Sequence, residues 1–155
     1  IDTDQLFRLV SEAAPWAGHE RRMYDRVVAE PRLTTRQWEA PPPPLPAMAH
    51  ALSDHYGEDL STVSANLYRD GRDSVAWHGD RVGRRQAATV VAIVSLGAAR
   101  RFLLRPKGGG RSVRLTPAPG DLLVLGGTCQ RTWEHCVPKV ATSGPRISVM
   151  FREGY

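Results

Sequence analysis

After Gly57 the chain divides into short apolar segments: Val63 to Tyr68, Ala88 to Leu96, Arg101 to Arg105, Ser112 to Leu115, Asp121 to Gly126 and Arg146 to Arg152. Each is rich in Val, Ile, Leu or Phe, and Gly, Pro, Asp or Ser separates it from the next. A parallel sheet needs a crossover of a dozen residues or more between strands, usually a helix, and no such alternation is present here. The spacing therefore predicts an antiparallel two-sheet architecture, a jelly roll, with helices confined to the N-terminal third.

In that N-terminal third, Leu6, Leu9, Val10 and Ala13, then Met23, Val27 and Val28, recur at three- and four-residue spacings. They predict two short helices broken near Pro15. Pro31-Arg32-Leu33-Thr34, Trp38 and the run Pro41 to Pro44 predict a loop or flap, because consecutive prolines suit neither a helix interior nor a central strand. A further helix is expected over Leu45 to Tyr56, closed by Gly57. The whole, residues 1–155, reads as one domain, with 1–60 a helical and flap extension and 61–155 the β core. A chain of this length buries roughly 70% of its unfolded surface, so folding needs no disulfide or structural metal. Cys129 and Cys136 lack C-x-x-C spacing and read as reduced thiols. No apolar run approaches a membrane span, and the opening Ile1-Asp2-Thr3-Asp4 does not resemble an export signal. A cytoplasmic monomer with no membrane partner is the expectation.

The net charge of +5 is unevenly placed. Residues 1–77 carry 8 basic and 12 acidic side chains, whereas residues 78–155 carry 13 and 4. Nine cations from Arg81 to Arg114, including Arg105, are interrupted by no Asp or Glu, a stretch that attracts polyanions such as nucleic acid.

The chemistry concentrates in the same half. In Trp77-His78-Gly79-Asp80, His78 and Asp80 lie two apart and point the same way on an extended segment, so both can reach one cation. With His135 they make two imidazoles and a carboxylate, a facial set that suits Fe(II) and leaves coordination positions open. The same residues also fit a surface turn and a core histidine. In the last strand, alternation sends Ile147, Val149 and Phe151 to one face and Arg146, Ser148, Met150 and Arg152 to the other. An inward arginine requires an anion, such as a dicarboxylate, although an edge strand with solvated arginines has the same pattern. Asn66 and Tyr68 share a face and offer neutral donors to a carboxylate.

Together, the run from Asn66-Leu67-Tyr68 to His78-Gly79-Asp80, the segment Gly127 to His135 with Val137-Pro138-Lys139, and Arg146 to Arg152 resemble the AlkB-type Fe(II)- and 2-oxoglutarate-dependent dioxygenases. The resemblance runs from about Tyr24 to Arg152 and includes Pro31-Arg32-Leu33. It implies a double-stranded β-helix (cupin-like jelly roll), iron ligands at His78, Asp80 and His135, and 2-oxoglutarate contacts from Asn66, Tyr68, Arg146, Ser148 and Arg152. It implies Fe(II), 2-oxoglutarate and O2 as cofactors, and alkylated DNA or RNA as the partner. The implied reaction is oxidative demethylation of bases such as 1-methyladenine or 3-methylcytosine, with release of formaldehyde, succinate and CO2.

Substrate contacts are expected from Arg81, Trp38 and Arg105, with Trp16, Tyr24 and Trp77 as further aromatic candidates and Trp77 weighted toward the core. Where family members often carry acidic residues after H-x-D, Arg81-Val82-Gly83 follow Asp80 here. Two alternatives stand beside this reading: a dioxygenase for a substrate other than nucleic acid, and a non-catalytic metal-bearing barrel that binds nucleic acid through its arginines.

Overall fold

Asp2 starts the first helix. Its carboxylate accepts from Gln5 N (2.8 Å) while the Gln5 side chain accepts from Asp2 N (2.8 Å), a reciprocal cap that satisfies two otherwise unpaired donors. In this computed structural model, which describes residues 1–23, 26–80 and 88–154, helix α1 spans Thr3–Ala13. Leu6, Val10 and Ala14, four apart, turn to the core. Helix α2 (Leu45–Tyr56) buries Leu45 and Ala49 and ends at Gly57, whose φ of 65° a side chain would resist.

Where a second helix is predicted from Met23 and Val28, the chain instead forms a hairpin of β1 (Ala17–Met23) and β2 (Arg26–Thr35). The predicted Pro31–Thr34 loop is likewise part of β2. Local spacing misleads here because β2 is held by distant partners: Leu33, Thr34 and Thr35 pair with Leu67, Asn66 and Ala65. Pro31 is tolerated because it precedes that pairing and lies where the β1–β2 register shifts.

The remaining strands are β3 (Thr62–Tyr68), β4 (Val75–His78), β5 (Val91–Gly97), β6 (Phe102–Pro106), β7 (Val113–Leu115), β8 (Leu122–Leu125), β9 (Trp133–Val137) and β10 (Arg146–Arg152). A short helix, α3 (Cys129–Thr132), leads into β9. They form two antiparallel sheets, ordered β1-β2-β3-β10-β5-β8 and β4-β9-β6-β7. This is the jelly roll expected.

The larger sheet is covered on one face by α1 and α2, through Leu6, Val10, Leu45 and Ala49 against Val63, Ala65, Ile147, Val149 and Phe151. Its other face meets the smaller sheet through Tyr68, Val91, Ile93, Phe102, Leu125 and Val137. Burial on both faces explains why β5 reads as a continuous apolar run. None of the described helices is long and apolar enough to cross a membrane.

Arg100 ties the loops beside the smaller sheet. Only 2% exposed, it donates to the carbonyls of Asp70 (3.0 Å), Asp73 (2.8 Å) and Pro138 (2.8 Å). It is thus a structural residue, removed from the predicted cationic stretch. Arg100→Met should cost about 3–5 kcal/mol, lowering the melting temperature by roughly 10 °C, because three carbonyls lose a charged donor. The exposed neighbour Arg101 supplies the control. Equal melting temperatures for Arg100→Met and Arg101→Met would contradict the assignment.

Candidate metal centre and cosubstrate cavity

The ligand candidates converge because β4 and β9 pair with His78 opposite His135. Same-face placement in antiparallel register brings the two imidazoles to a centroid separation of 4.3 Å. Asp80, just beyond β4, approaches His78 Nε2 through Oδ1 (3.5 Å) and His135 Nε2 through Oδ2 (3.7 Å). One ligand atom from each residue lies within 4.8 Å of the others.

Neighbouring groups set the donor atoms. The Ala76 carbonyl can only accept, so His78 Nδ1, 2.7 Å away, carries a proton, and Nε2 is the nitrogen that faces Asp80. Phe102 stacks on the His135 ring at 5.1 Å and 17°. Burial works to raise the Asp80 pKa, but His78, His135 and Arg152 outweigh it and hold the carboxyl at about 2. Burial, partly opposed by Asp80, pushes His135 down to about 4. At neutral pH the set is therefore one carboxylate and a neutral His135, the forms that bind a cation.

A cavity of about 1040 Å³ opens from this cluster. The alternation read in β10 holds: Arg146, Ser148, Met150 and Arg152 line the cavity, whereas Ile147, Val149 and Phe151 are in the core. Register places Tyr68 beside Arg146, Asn66 beside Ser148 and Ser64 beside Met150 on the neighbouring strand. Arg146 is 1% exposed, donates to Ser95 Oγ (3.0 Å) and lies 5.5 Å from the Tyr68 ring centroid. Its Nε and Nη1 have no hydrogen-bond partner among the described residues. The Asn66 amide is best placed with its oxygen accepting from Arg32 Nη1 (3.2 Å).

The guanidinium groups of Arg146 and Arg152, lining the cavity beside a three-ligand cluster, fit a dicarboxylate held next to a metal ion. The donor set fits Fe(II) equally well.

A family model, the 2OG-Fe(II) oxygenase superfamily, matches residues 5–152. The chain belongs to this family. Its cofactors are accordingly Fe(II), 2-oxoglutarate and O2. Among curated proteins, the alpha-ketoglutarate-dependent dioxygenase alkB homolog 3 of Bos taurus is 29% identical over 178 residues, covering 99% of this chain and 62% of its own length. The DNA oxidative demethylase ALKBH2 of Arabidopsis thaliana is 26% identical over 190 residues, covering 95% and 60%. The chain thus spans about three fifths of these relatives. An oxidoreductase of the 2OG-Fe(II) oxygenase family from Burkholderia pseudomallei superposes with a TM-score of 0.64 at 15% identity, covering 96% of this chain and 76% of that one.

The expected substrate contacts fare differently. Trp38 is corrected: it is 9% exposed, in the same buried cluster as Val63 and the helix residues rather than on an exposed flap, and its backbone N donates to Val63 O (2.8 Å), which holds it there. Trp16 also packs against that core, and its indole donates to Ser11 O (3.0 Å). Arg105 is absent from the cavity lining; it bonds Glu134 (2.7 Å) and stacks 4.0 Å from the Trp77 ring centroid. Trp77 is only half-buried, at the cavity, rather than in the core. Arg81 and Tyr24 lie outside the described residues. Sequence reading missed Arg32, Thr34, Thr35, Ser64 and Ser95, since β2 was read as a loop and a lone hydroxyl in a strand carries no signal. It also missed Gln130, quoted only as part of a motif.

Proposed function

We propose that the chain oxidatively demethylates N-alkylated bases, such as 1-methyladenine or 3-methylcytosine, in DNA or RNA. The observation that carries this reading is the convergence of His78, Asp80 and His135 with Arg146 and Arg152 in one cavity, in a chain similar along nearly its whole length to alkB homolog 3. When bound, Fe(II) and 2-oxoglutarate supply oxidation of a C–H bond by O2, with formation of succinate and CO2.

The chain's own residues do the rest. His78, Asp80 and His135 hold the cation. Arg146, supported by Ser95, offers Nε and Nη1 to one end of the dicarboxylate, with Tyr68 and Asn66 beside it. Arg152 and Ser148 face the same space. Oxidation of an N-methyl group gives an N-hydroxymethyl group, which releases formaldehyde and leaves the base restored. The target base must leave the stack to enter.

The exposed Arg101, Lys107, Arg111 and Arg114, at or beside the β6–β7 hairpin, are suited to phosphate contacts. Replacing Arg111 and Arg114 by alanine should lower the slope of log affinity against log salt by about 2. The decisive assay measures formaldehyde against succinate across methylated single- and double-stranded DNA and RNA. Matched release on at least one oligonucleotide is expected; succinate without formaldehyde on every one would direct the search to a substrate other than nucleic acid.

A further inference from the structure

Gln130 lies on α3, five residues before the ligand His135, and is 4% exposed. Its amide reaches Asp80 twice. Oε1 accepts from Asp80 N (2.6 Å), and Nε2 donates to Asp80 Oδ2 (3.2 Å). A single planar group thus closes a ring with the backbone and the carboxylate of the same residue. Neither bond arises from strand pairing, since Asp80 lies beyond the last β4–β9 pair, His78 with His135.

The backbone fits this contact as well. A Cβ on Gly79 would stand 2.9 Å from Gln130 O, so the residue between the two β4-side ligands has to be small for the turn to reach Gln130. The β4 terminus is therefore docked onto the α3–β9 segment at two levels, once by the histidine pair and once by the amide.

The two carboxylate oxygens are consequently unequal. Oδ2 carries the amide bond and lies 3.7 Å from His135 Nε2, whereas Oδ1 faces His78 Nε2 at 3.5 Å and takes no bond from the amide. The amide bond occupies one lone pair of Oδ2 and orients the carboxylate, which favours Oδ1 as the oxygen offered to an ion.

We propose that Gln130 is the positioning residue of the metal centre: it fixes Asp80 so that the carboxylate serves the cation through Oδ1 alone, which keeps further coordination positions available for the cosubstrate. The proposal rests on the metal assignment and is independent of which substrate is oxidised. A glutamine is suited to this role because it supplies one acceptor and one donor at the required spacing, which neither a carboxylate nor a hydroxyl does.

The test uses Co(II) as an optical probe in place of Fe(II), in the absence of turnover. Gln130→Met keeps the side chain's length and removes both bonds. Its Co(II) affinity should fall about 10- to 100-fold, the effect typical of losing a bond that orients a ligand, and its visible spectrum should change as Asp80 becomes free to use both oxygens. Gln130→Asn, which retains the amide on a shorter stem, should recover part of the affinity. Packing alone would lower the melting temperature of the metal-free protein and leave the Co(II) spectrum untouched. Wild-type affinity and spectrum in folded Gln130→Met overturns the proposal. If that variant does not fold, Gln130→Glu retains the acceptor for Asp80 N and loses the donor to Oδ2; an unchanged Co(II) spectrum there overturns it too. Failure of the wild type to bind Co(II), with Asp80→Ala as the reference, removes the metal assignment and the proposal together.

Discussion

Arg146→Met is expected to weaken 2-oxoglutarate binding by about 30-fold or more, while the ligand-free protein remains as stable as the wild type or becomes more so. The two effects have one cause. Arg146 is almost fully buried; its Nη2 donates to Ser95 Oγ at 3.0 Å, while Nε and Nη1 have no hydrogen-bond partner among the described residues. Burial also pushes its pKa below the ordinary value for arginine. An apolar replacement of similar volume relieves that desolvation. A dicarboxylate that meets the guanidinium loses a buried charge-assisted pair, a truncation that costs about 2–5 kcal/mol. Calorimetric titration of 2-oxoglutarate into the Co(II)-loaded variant, with thermal unfolding of the ligand-free form, measures both. Lost stability with unchanged 2-oxoglutarate affinity would make Arg146 a structural residue.

Asp80→Ala should eliminate turnover and lower Fe(II) affinity by more than about 100-fold, beyond the range for residues that only orient a ligand. Asp80 is the one anion of the triad, held at about 2 by its imidazole and guanidinium neighbours, so it is ionised throughout the range in which the protein would work. Without it, two imidazoles face a dication with no negative charge beside them. The affinity of the ligand-free variant for Fe(II), determined anaerobically, checks this directly. Turnover at the wild-type rate would refute the triad.

The parts of this centre that were legible in the sequence obey short-range geometry. His78 and Asp80 must share a side because they are two apart on extended chain, and the same alternation separates Arg146, Ser148 and Arg152 from Ile147, Val149 and Phe151 whichever strands lie alongside. Asn66 and Tyr68 follow for the same reason. Trp38 was misplaced because neighbouring prolines suggest exposure, whereas the fold buries it in the cluster that includes Val63 and the helix residues Val10 and Leu45. The hairpin of β1 and β2 was read as a helix and a loop because its partners begin some thirty residues later, at β3.

Strand-rich class, the candidate metal and cosubstrate donors and the faces they occupy were thus readable from the chain alone, since alternation and residue chemistry are local properties. Only the tertiary structure decided which cations reach the cavity. It set Arg100 as a staple and Arg105 on Trp77 and Glu134, and brought Arg32 of β2 to Asn66. It also placed Gln130 on Asp80, fifty residues away in the chain, because side chains so distant meet only once the fold brings the end of β4 against α3, where a buried amide must find its partners.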